Sequence, residues 1–351
     1  MMKSFLKHGY AVVAVGSESE KDWQDIFERE DIHYKSIPVS RNGLNPLGDF
    51  KTYHAIKKII EEEKPEKIFC YQAKTVIYGA IAAHRLGIGE VYPLIAGLGS
   101  IFRGQGVKNA IVRQILKREY QYALRFAKRI MFQNNDDLDC FVKERIVQQA
   151  QTVIINGSGV DTKHFTPMPF PEQMTFLMIS RLIRDKGVFE YLEAARKVRA
   201  SHKDVRFLLV GPYDTNPSAL HPDELRPFIS DGSVEYLGEL SDVRPALAQS
   251  TVYVLPSYHE GTPKTVLEAM ACGRPIITTD APGCRETVQE GVNGYLVKPK
   301  DVASLVETMD KMLTLSSQTL AELGAAARKI AQEKYDVGIV NDSINKIMGI
   351  F

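Results

Sequence analysis

Short apolar runs of β-rich composition alternate with segments of helical spacing, and the alternation passes through this chain twice. In the first pass, residues 10–15, 32–38, 67–71, 90–95 and 129–132 read as strands, with helices over 49–63, 75–86, 108–126 and 135–144. The second pass puts strands at 174–179, 205–210, 234–237, 252–255 and 274–278, with helices between them. Such an order demands parallel sheets, because parallel neighbours need a crossover and the crossover helix then covers the sheet face. Residues 155–171 lie between the passes and hold two glycines and three prolines, a turn-rich break. The expected architecture is therefore α/β: two doubly wound, Rossmann-like domains over 1–160 and 161–334, facing across a cleft. A helix over 335–351, apolar at its end, is expected to pack back on the first domain. Ligands of such sheets bind outside the carboxyl ends of the strands, so the chemistry belongs in the loops found there.

A chain of 351 residues fits two cores better than one. Its net charge of +1 gives no general attraction for nucleic acid. The four cysteines, Cys70, Cys140, Cys272 and Cys284, show neither C-x-x-C nor metal-like spacing and read as thiols of a reducing cytoplasm. No apolar run reaches bilayer length. The first residues, Met-Met-Lys-Ser-Phe-Leu-Lys-His-Gly, read as the end of a helix with Gly9 as its cap. The central first strand usual in a doubly wound domain is missing before them. Either the sequence starts late or this domain closes its sheet differently.

Two stretches carry the chemistry. Arg181 and Lys186 flank a loop that leaves a strand at residue 179 and ends at Gly187, where a helix starts. Two fixed cations beside helix N–H groups suit a diphosphate; the plain alternative is a solvated basic turn. Glu260 leaves the strand at 252–255 in the same way, ahead of a helix with Thr262 as cap and Pro263 as first residue. Glu268 lies two turns inside that helix, on the face of Lys264, Thr265 and Cys272 and away from Val266, Leu267 and Met270. It reads either as a surface glutamate or as an acceptor for a ribose diol.

Arg181 to Gly187, together with Glu260-Gly-Thr-Pro-Lys-Thr-Val-Leu-Glu-Ala-Met-Ala-Cys-Gly273, resembles the retaining glycosyltransferases of the GT-B fold, family 4, with their R-x4-K pair and E-x7-E pattern. Asn156-Gly-Ser-Gly-Val-Asp161, Leu255-Pro-Ser257 and the stretch from Ala281 to Gly294 extend the resemblance. Ser40-Arg-Asn-Gly-Leu-Asn-Pro46 and Ala96-Gly-Leu-Gly-Ser-Ile-Phe102 are similar to the bacterial branch that builds lipid-linked glycans, including enzymes that add an N-acetylhexosamine to an undecaprenyl-diphosphate-linked sugar. The resemblance implies an acceptor-binding first domain and a second domain that binds a UDP-sugar. It assigns Arg181 and Lys186 to the donor diphosphate, Glu260 with Gly261 and Thr262 to the transferred sugar and β-phosphate, and Glu268 to the ribose. It implies retention without a protein nucleophile, no cofactor and no metal, the two cations taking the metal's place. The competing reading is a donor-binding protein of the same fold with little transferase activity.

Lesser candidates lie in the first half. The glycine-rich loop with Gly97, Gly99 and Arg103, and Lys74 after the strand at 67–71, are candidates for the lipid-linked glycan acceptor. The basic helix over 108–129, with Glu119 as its sole counter-charge, suits peripheral docking on an anionic membrane. That would place a cytoplasmic protein at the inner face of the cell membrane. His84 and His259 read as structural.

Overall fold

The computed structural model describes residues 1–39, 45–98, 107–216 and 218–351. The chain divides into two compact units, one of residues 1–155 with 341–351 and the other of 156–340. The break falls at 155/156, ahead of the expected 160/161. Ile155 still donates its N–H to Phe132 at the end of one sheet, whereas Val160 already pairs with Asp336 in the second unit.

In the first unit, β1 (Val12–Gly16) pairs in parallel with β2 (Ile32–Ser36). A second parallel sheet runs β3 (Ile68–Tyr71), β4 (Val91–Ile95), β5 (Ile130–Phe132), β6 (Thr152–Ile154), in that order. Among the described residues no backbone pairing joins the two sheets. Helix Ala73–Arg85 is the centre of this unit's packing. Its Gly79, Ala80, Ala82 and Ala83 are all buried, and such small side chains let helices Pro46–Glu63 and Val107–Leu124 approach closely on either side. Beneath them Val76, Ile77, Tyr120, Ala123, Leu124, Ile130, Phe132 and Phe141 form one apolar cluster. Helix Met2–Lys7 is capped at His8, with Gly9 one position beyond at φ +81°, the left-handed geometry anticipated for that glycine. The last helix, Val337–Met348, returns the chain to this unit from residue 341. There Asn345 donates to Ser4 Oγ at 2.8 Å, and the Tyr92 hydroxyl to the Met348 carbonyl at 3.3 Å.

The second unit holds one parallel sheet of β7 (Thr175–Ile179), β8 (Arg206–Val210), β9 (Glu235–Tyr236), β10 (Val252–Leu255), β11 (Ile276–Thr279) and β12 (Gly294–Val297). Its order is β12-β11-β10-β7-β8-β9, so the winding direction reverses between β7 and β10. Both of those strands are buried along their whole length, as expected of a sheet covered on both faces. Helix Val188–Ser201 sets Tyr191 in the core, its hydroxyl 3.0 Å from the carbonyls of both Phe176 and Leu208. A polar tip satisfied in this way costs little to bury.

Candidate active site

The reversal point between β7 and β10 is where a doubly wound sheet opens to a ligand, and the cations and the first glutamate both leave the sheet there. After β7 the chain makes a short 3-10 turn, Arg184–Lys186, and enters helix Val188–Ser201 through Gly187 at φ +74°. A side chain at Gly187 would overlap the Pro256 carbonyl, so glycine is what lets the two exit loops lie against each other. They are stitched along their length. The Asp185 carbonyl accepts from the Tyr258 N–H at 2.9 Å and from Ser257 Oγ at 3.1 Å. Lys186 Nζ then donates to Glu260 Oε1 at 2.5 Å, with side chains 22% and 11% exposed. A charge-assisted bond of that length between partly buried groups fixes both side chains.

Glu260 is further set by its backbone, whose N–H donates to the Pro282 carbonyl at 2.9 Å. Gly283, at φ +79°, lies directly beneath; a Cβ there would overlap the Glu260 carbonyl. Gly157 (φ +70°) packs closely on Thr262, since an added Cβ would lie 2.7 Å from the Thr262 Cβ. Gly157 therefore backs Thr262 directly, while Asn156, Gly159 and Val160 meet residues 334–337.

The helix itself spans Lys264–Ala271, with Pro263 in the capping position and no side-chain cap. Thr262, expected as the cap, lies one residue outside it. A backbone fixed by the proline ring supplies the entry geometry in place of a capping hydroxyl. Glu268 is no surface glutamate: it is 6% exposed, and burial raises its carboxyl above the ordinary range while Lys264, 3.6 Å away, pulls the other way. The face opposite the core is thus enclosed at Glu268, although Lys264 one turn earlier is exposed. Tyr253 on β10 shows why. Its hydroxyl bridges the Ile179 carbonyl at 3.0 Å and Thr265 Oγ1 at 2.6 Å, tying strand ends to helix. Burial drives that phenol strongly upward, and the nearby Glu268 and Glu260 carboxylates add to the effect.

Arg181 stands apart from Lys186. Its side chain is 55% exposed, and the guanidinium bonds through Nη1 to Asp214 Oδ2 at 2.8 Å, on the loop that follows β8. Asp214 and Tyr253 are not singled out by sequence pattern: Asp214 lies in the loop beyond the carboxyl end of β8, the kind of position that marks Arg181 and Glu260, and Tyr253 lies inside β10. Cys284, next to Gly283, is no nucleophile: burial, then the Glu260 charge, pushes its thiol up to about 12. Among the described residues no group of three or more His, Cys, Asp or Glu is placed to hold a metal ion.

In the first unit Gly97 follows β4 at φ +123°. Gly99 and Arg103 lie outside the described residues, as does most of the stretch from Ser40 to Pro46. Lys74 is not a surface lysine. It opens helix Ala73–Arg85 with Nζ 2.7 Å from Asp49 Oδ1, the two side chains 16% and 13% exposed. Glu119 belongs to the same cluster, its carboxyl raised by burial and then by Asp49, with Lys74 opposing. The basic helix is Val107–Leu124, and Glu119 is not its sole counter-charge. Lys117 pairs with Glu144 at 2.5 Å, and Lys128 beyond the helix pairs with Glu90, acids supplied by other elements. His84 stacks on Phe126 at 3.6 Å between ring centroids, a packing role.

Residues 173–315 match the model of the glycosyl transferases group 1, and residues 1–134 that of the glycosyl transferase 4-like family. The chain is 30% identical over 315 residues to the N,N'-diacetylbacillosaminyl-diphospho-undecaprenol alpha-1,3-N-acetylgalactosaminyltransferase of Campylobacter jejuni, covering 86% of this chain and 81% of that one. It is 26% identical to the UDP-Gal:alpha-D-GlcNAc-diphosphoundecaprenol alpha-1,3-galactosyltransferase of Escherichia coli, over 80% of this chain and 76% of that one. Among solved structures, Anabaena Alr3699/HepE in complex with UDP and glucose superimposes with a TM-score of 0.78 at 19% identity, covering 100% of this chain and 95% of that one. The sucrose-phosphate synthase of Thermosynechococcus elongatus gives 0.77 at 18%, with 98% and 90% coverage. The chain belongs to the group 1, family 4-like glycosyltransferases and has their two-domain GT-B fold.

Proposed function

We propose that this glycosyltransferase moves an N-acetylhexosamine from a UDP-sugar to an undecaprenyl-diphosphate-linked glycan, with retention at the anomeric carbon and without a metal. The observation that carries the reading is the Lys186–Glu260 pair, held at the carboxyl ends of β7 and β10 at the sheet's reversal point. Lys186 and Arg181 take the donor diphosphate. Glu260, with the main chain of Gly261 and Thr262, faces the transferred sugar, and Glu268 takes the ribose hydroxyls. A carboxylate buried as Glu268 is needs partners to justify its charge, and a diol supplies two donors at once.

The acceptor hydroxyl attacks from the face the diphosphate leaves, and the departing oxygen receives its proton. The chain's contribution is charge stabilisation: Lys186 gains most when negative charge collects on the leaving phosphate, an effect that grows in a site shielded from water. The relatives named above act on undecaprenyl-diphosphate-linked sugars, which supports this acceptor class. In the first unit, Gly97 and the Lys74–Asp49 pair remain the residues proposed for the acceptor. Exposed Ile111, Ile115 and Tyr122 on helix Val107–Leu124, with Arg125 stacked on Tyr122 at 4.3 Å, support peripheral docking on a membrane more than charge alone does. Among the described residues no helix is long and apolar enough to cross one.

Incubation with labelled UDP-N-acetylhexosamines and UDP-hexoses, a bacterial lipid extract and a chelator tests the reading. Transfer to a diphosphate-linked lipid, with the product linkage of the same anomeric configuration as the donor, is expected. Inversion, or loss of transfer in the chelator, removes the corresponding part. Binding of UDP without transfer to any acceptor supports a donor-binding protein instead.

A further inference from the structure

Beyond β8 the chain folds across the loop that carries Arg181 and Lys186 and shapes it residue by residue. Ser180 and Leu182 donate their N–H groups to the Val210 and Pro212 carbonyls, both at 3.0 Å. Arg184 donates to Ser218 at 2.8 Å, and Leu220 returns a bond to Leu182 at 2.8 Å. Gly211, at φ +143°, lies so close that a Cβ would overlap the Ser180 carbonyl. The cation-bearing loop is therefore cast against the loop 211–220.

Asp214 is the one acid of that loop. Its carboxylate is fixed from its own side first: Oδ1 accepts from the Asn216 N–H at 2.7 Å, while Asn216 Oδ1 accepts from Ser218 N and Oγ, both at 2.9 Å. The other oxygen, Oδ2, receives Arg181 Nη1 at 2.8 Å. Burial would raise this carboxyl, but the Asn216 N–H and Arg181 outweigh it and hold it below the usual aspartate range. Exposure is lopsided, 16% for Asp214 against 55% for Arg181, so the acid is the anchor and the arginine leans outward from it. A guanidinium has five N–H donors in a rigid fork, and one bond to an anchor leaves the fork able to engage an oxyanion.

We propose that Asp214 is a positioning residue for the transfer reaction, holding Arg181 by one N–H so that the rest of its fork meets the donor diphosphate. This rests on the donor site proposed above. Two effects of Asp214 have opposite sign. As a fixed negative charge it repels a diphosphate, so removing the charge alone would tighten binding. As an anchor it spares Arg181 the ordering of a long side chain on binding, so removing it weakens binding. The proposal is that the anchor wins.

Calorimetric titration of the full chain with UDP and with uridine separates these. Asp214→Asn is expected to weaken UDP about tenfold, roughly 1.4 kcal/mol, and to leave uridine unchanged. The loss should vanish in an Arg181→Ala background, and Asp214→Glu should recover most of it. Tighter UDP binding by Asp214→Asn, the same loss in the Arg181→Ala background, or a parallel loss of uridine would each overturn the proposal. The last would mark Asp214 as a loop-shaping residue only. Wild-type chain that binds neither UDP nor uridine would remove the donor-site reading; wild-type UDP binding with Asp214→Asn unaffected would remove Asp214 alone.

Discussion

The two units are built from the same alternating pattern and end in different conditions. In the second, six strands form one sheet and its loops brace one another through backbone contacts at Gly187, Gly211 and Gly283. In the first, the strands fall into two sheets, helix Glu20–Glu28 has no buried residue, and Val15, Trp23, Ile26 and Tyr71 are exposed. A continuous sheet holds neighbouring exit loops at strand spacing, about 5 Å, so a cation on one loop and an acid on the next meet by construction. Lys186 and Glu260 do so; in the first unit Lys74 and Gly97 also leave neighbouring strands, β3 and β4, but the acid that meets Lys74 is Asp49, supplied by helix Pro46–Glu63 and not by the next exit loop.

The comparison breaks first at Lys186. Lys186→Ala is expected to lower turnover by about 10²–10³-fold with the fold retained by circular dichroism, measured as initial rate on the diphosphate-linked acceptor. Near-normal turnover would detach the braced loops from the chemistry. Next in size is a pair of glycine substitutions. Gly211→Ala, which meets backbone at positive φ, should cost about 2 kcal/mol or more. Gly9→Ala, at φ +81° with open space around it, should cost about 1 kcal/mol of strain alone. Equal costs by denaturant titration would mean that the second unit is no more tightly cast than the first.

Glu268→Gln sharpens the contrast through opposite signs. Its folded carboxyl is raised by burial, so ionisation is penalised in the native state and the charge lowers stability above the ordinary value of 4.5. The variant should melt higher than wild type at neutral pH, the gain fading as pH falls from the raised folded value toward 4.5 and absent below it, yet bind UDP about tenfold more weakly. Unchanged UDP affinity would take Glu268 out of the site. Smallest is Glu90 in the first unit. Lys128 and Tyr92, and less strongly Lys67, hold its carboxyl down to about 2 against the opposing effect of burial. The stability it adds is complete above the ordinary 4.5 and is lost as pH falls toward 2. Because the pair groups are partly solvated, the difference between wild type and Glu90→Gln should be about 1 kcal/mol or less. A difference that persists at pH 2 would refute the assignment.

Much of the second unit is legible in the order of its residues, because strand exits announce themselves: an apolar run, a cation or acid, then a glycine or proline at a helix start. Arg181, Lys186 and Glu260 stand out for that reason. Asp214 does not, since its meaning depends on β7 and β8 being neighbours, a relation between distant residues that periodicity does not carry. The burial of Glu268 is hidden on the same ground: the helix face looks polar, but Thr265 is held by Tyr253 from the strand below. In the first unit Lys117 and Lys128 look unbalanced because their acids, Glu144 and Glu90, come from other elements. The family resemblance supplies the nucleotide and the acceptor class; residue patterning by itself reaches an anion and a hydroxylated ligand.

The Lys186–Glu260 pair has a consequence for selectivity. In the proposed donor site, an anion that approaches Lys186 competes with a carboxylate of the same chain for the ammonium's charge, where at an unpaired lysine it would displace water and salt ions. A full sugar nucleotide can compensate Glu260 with its own hydroxyls, but inorganic phosphate or chloride cannot. On the proposed donor site the pair is a toll that small cellular anions fail to meet, so inorganic phosphate should inhibit transfer only weakly, and strong inhibition would refute it.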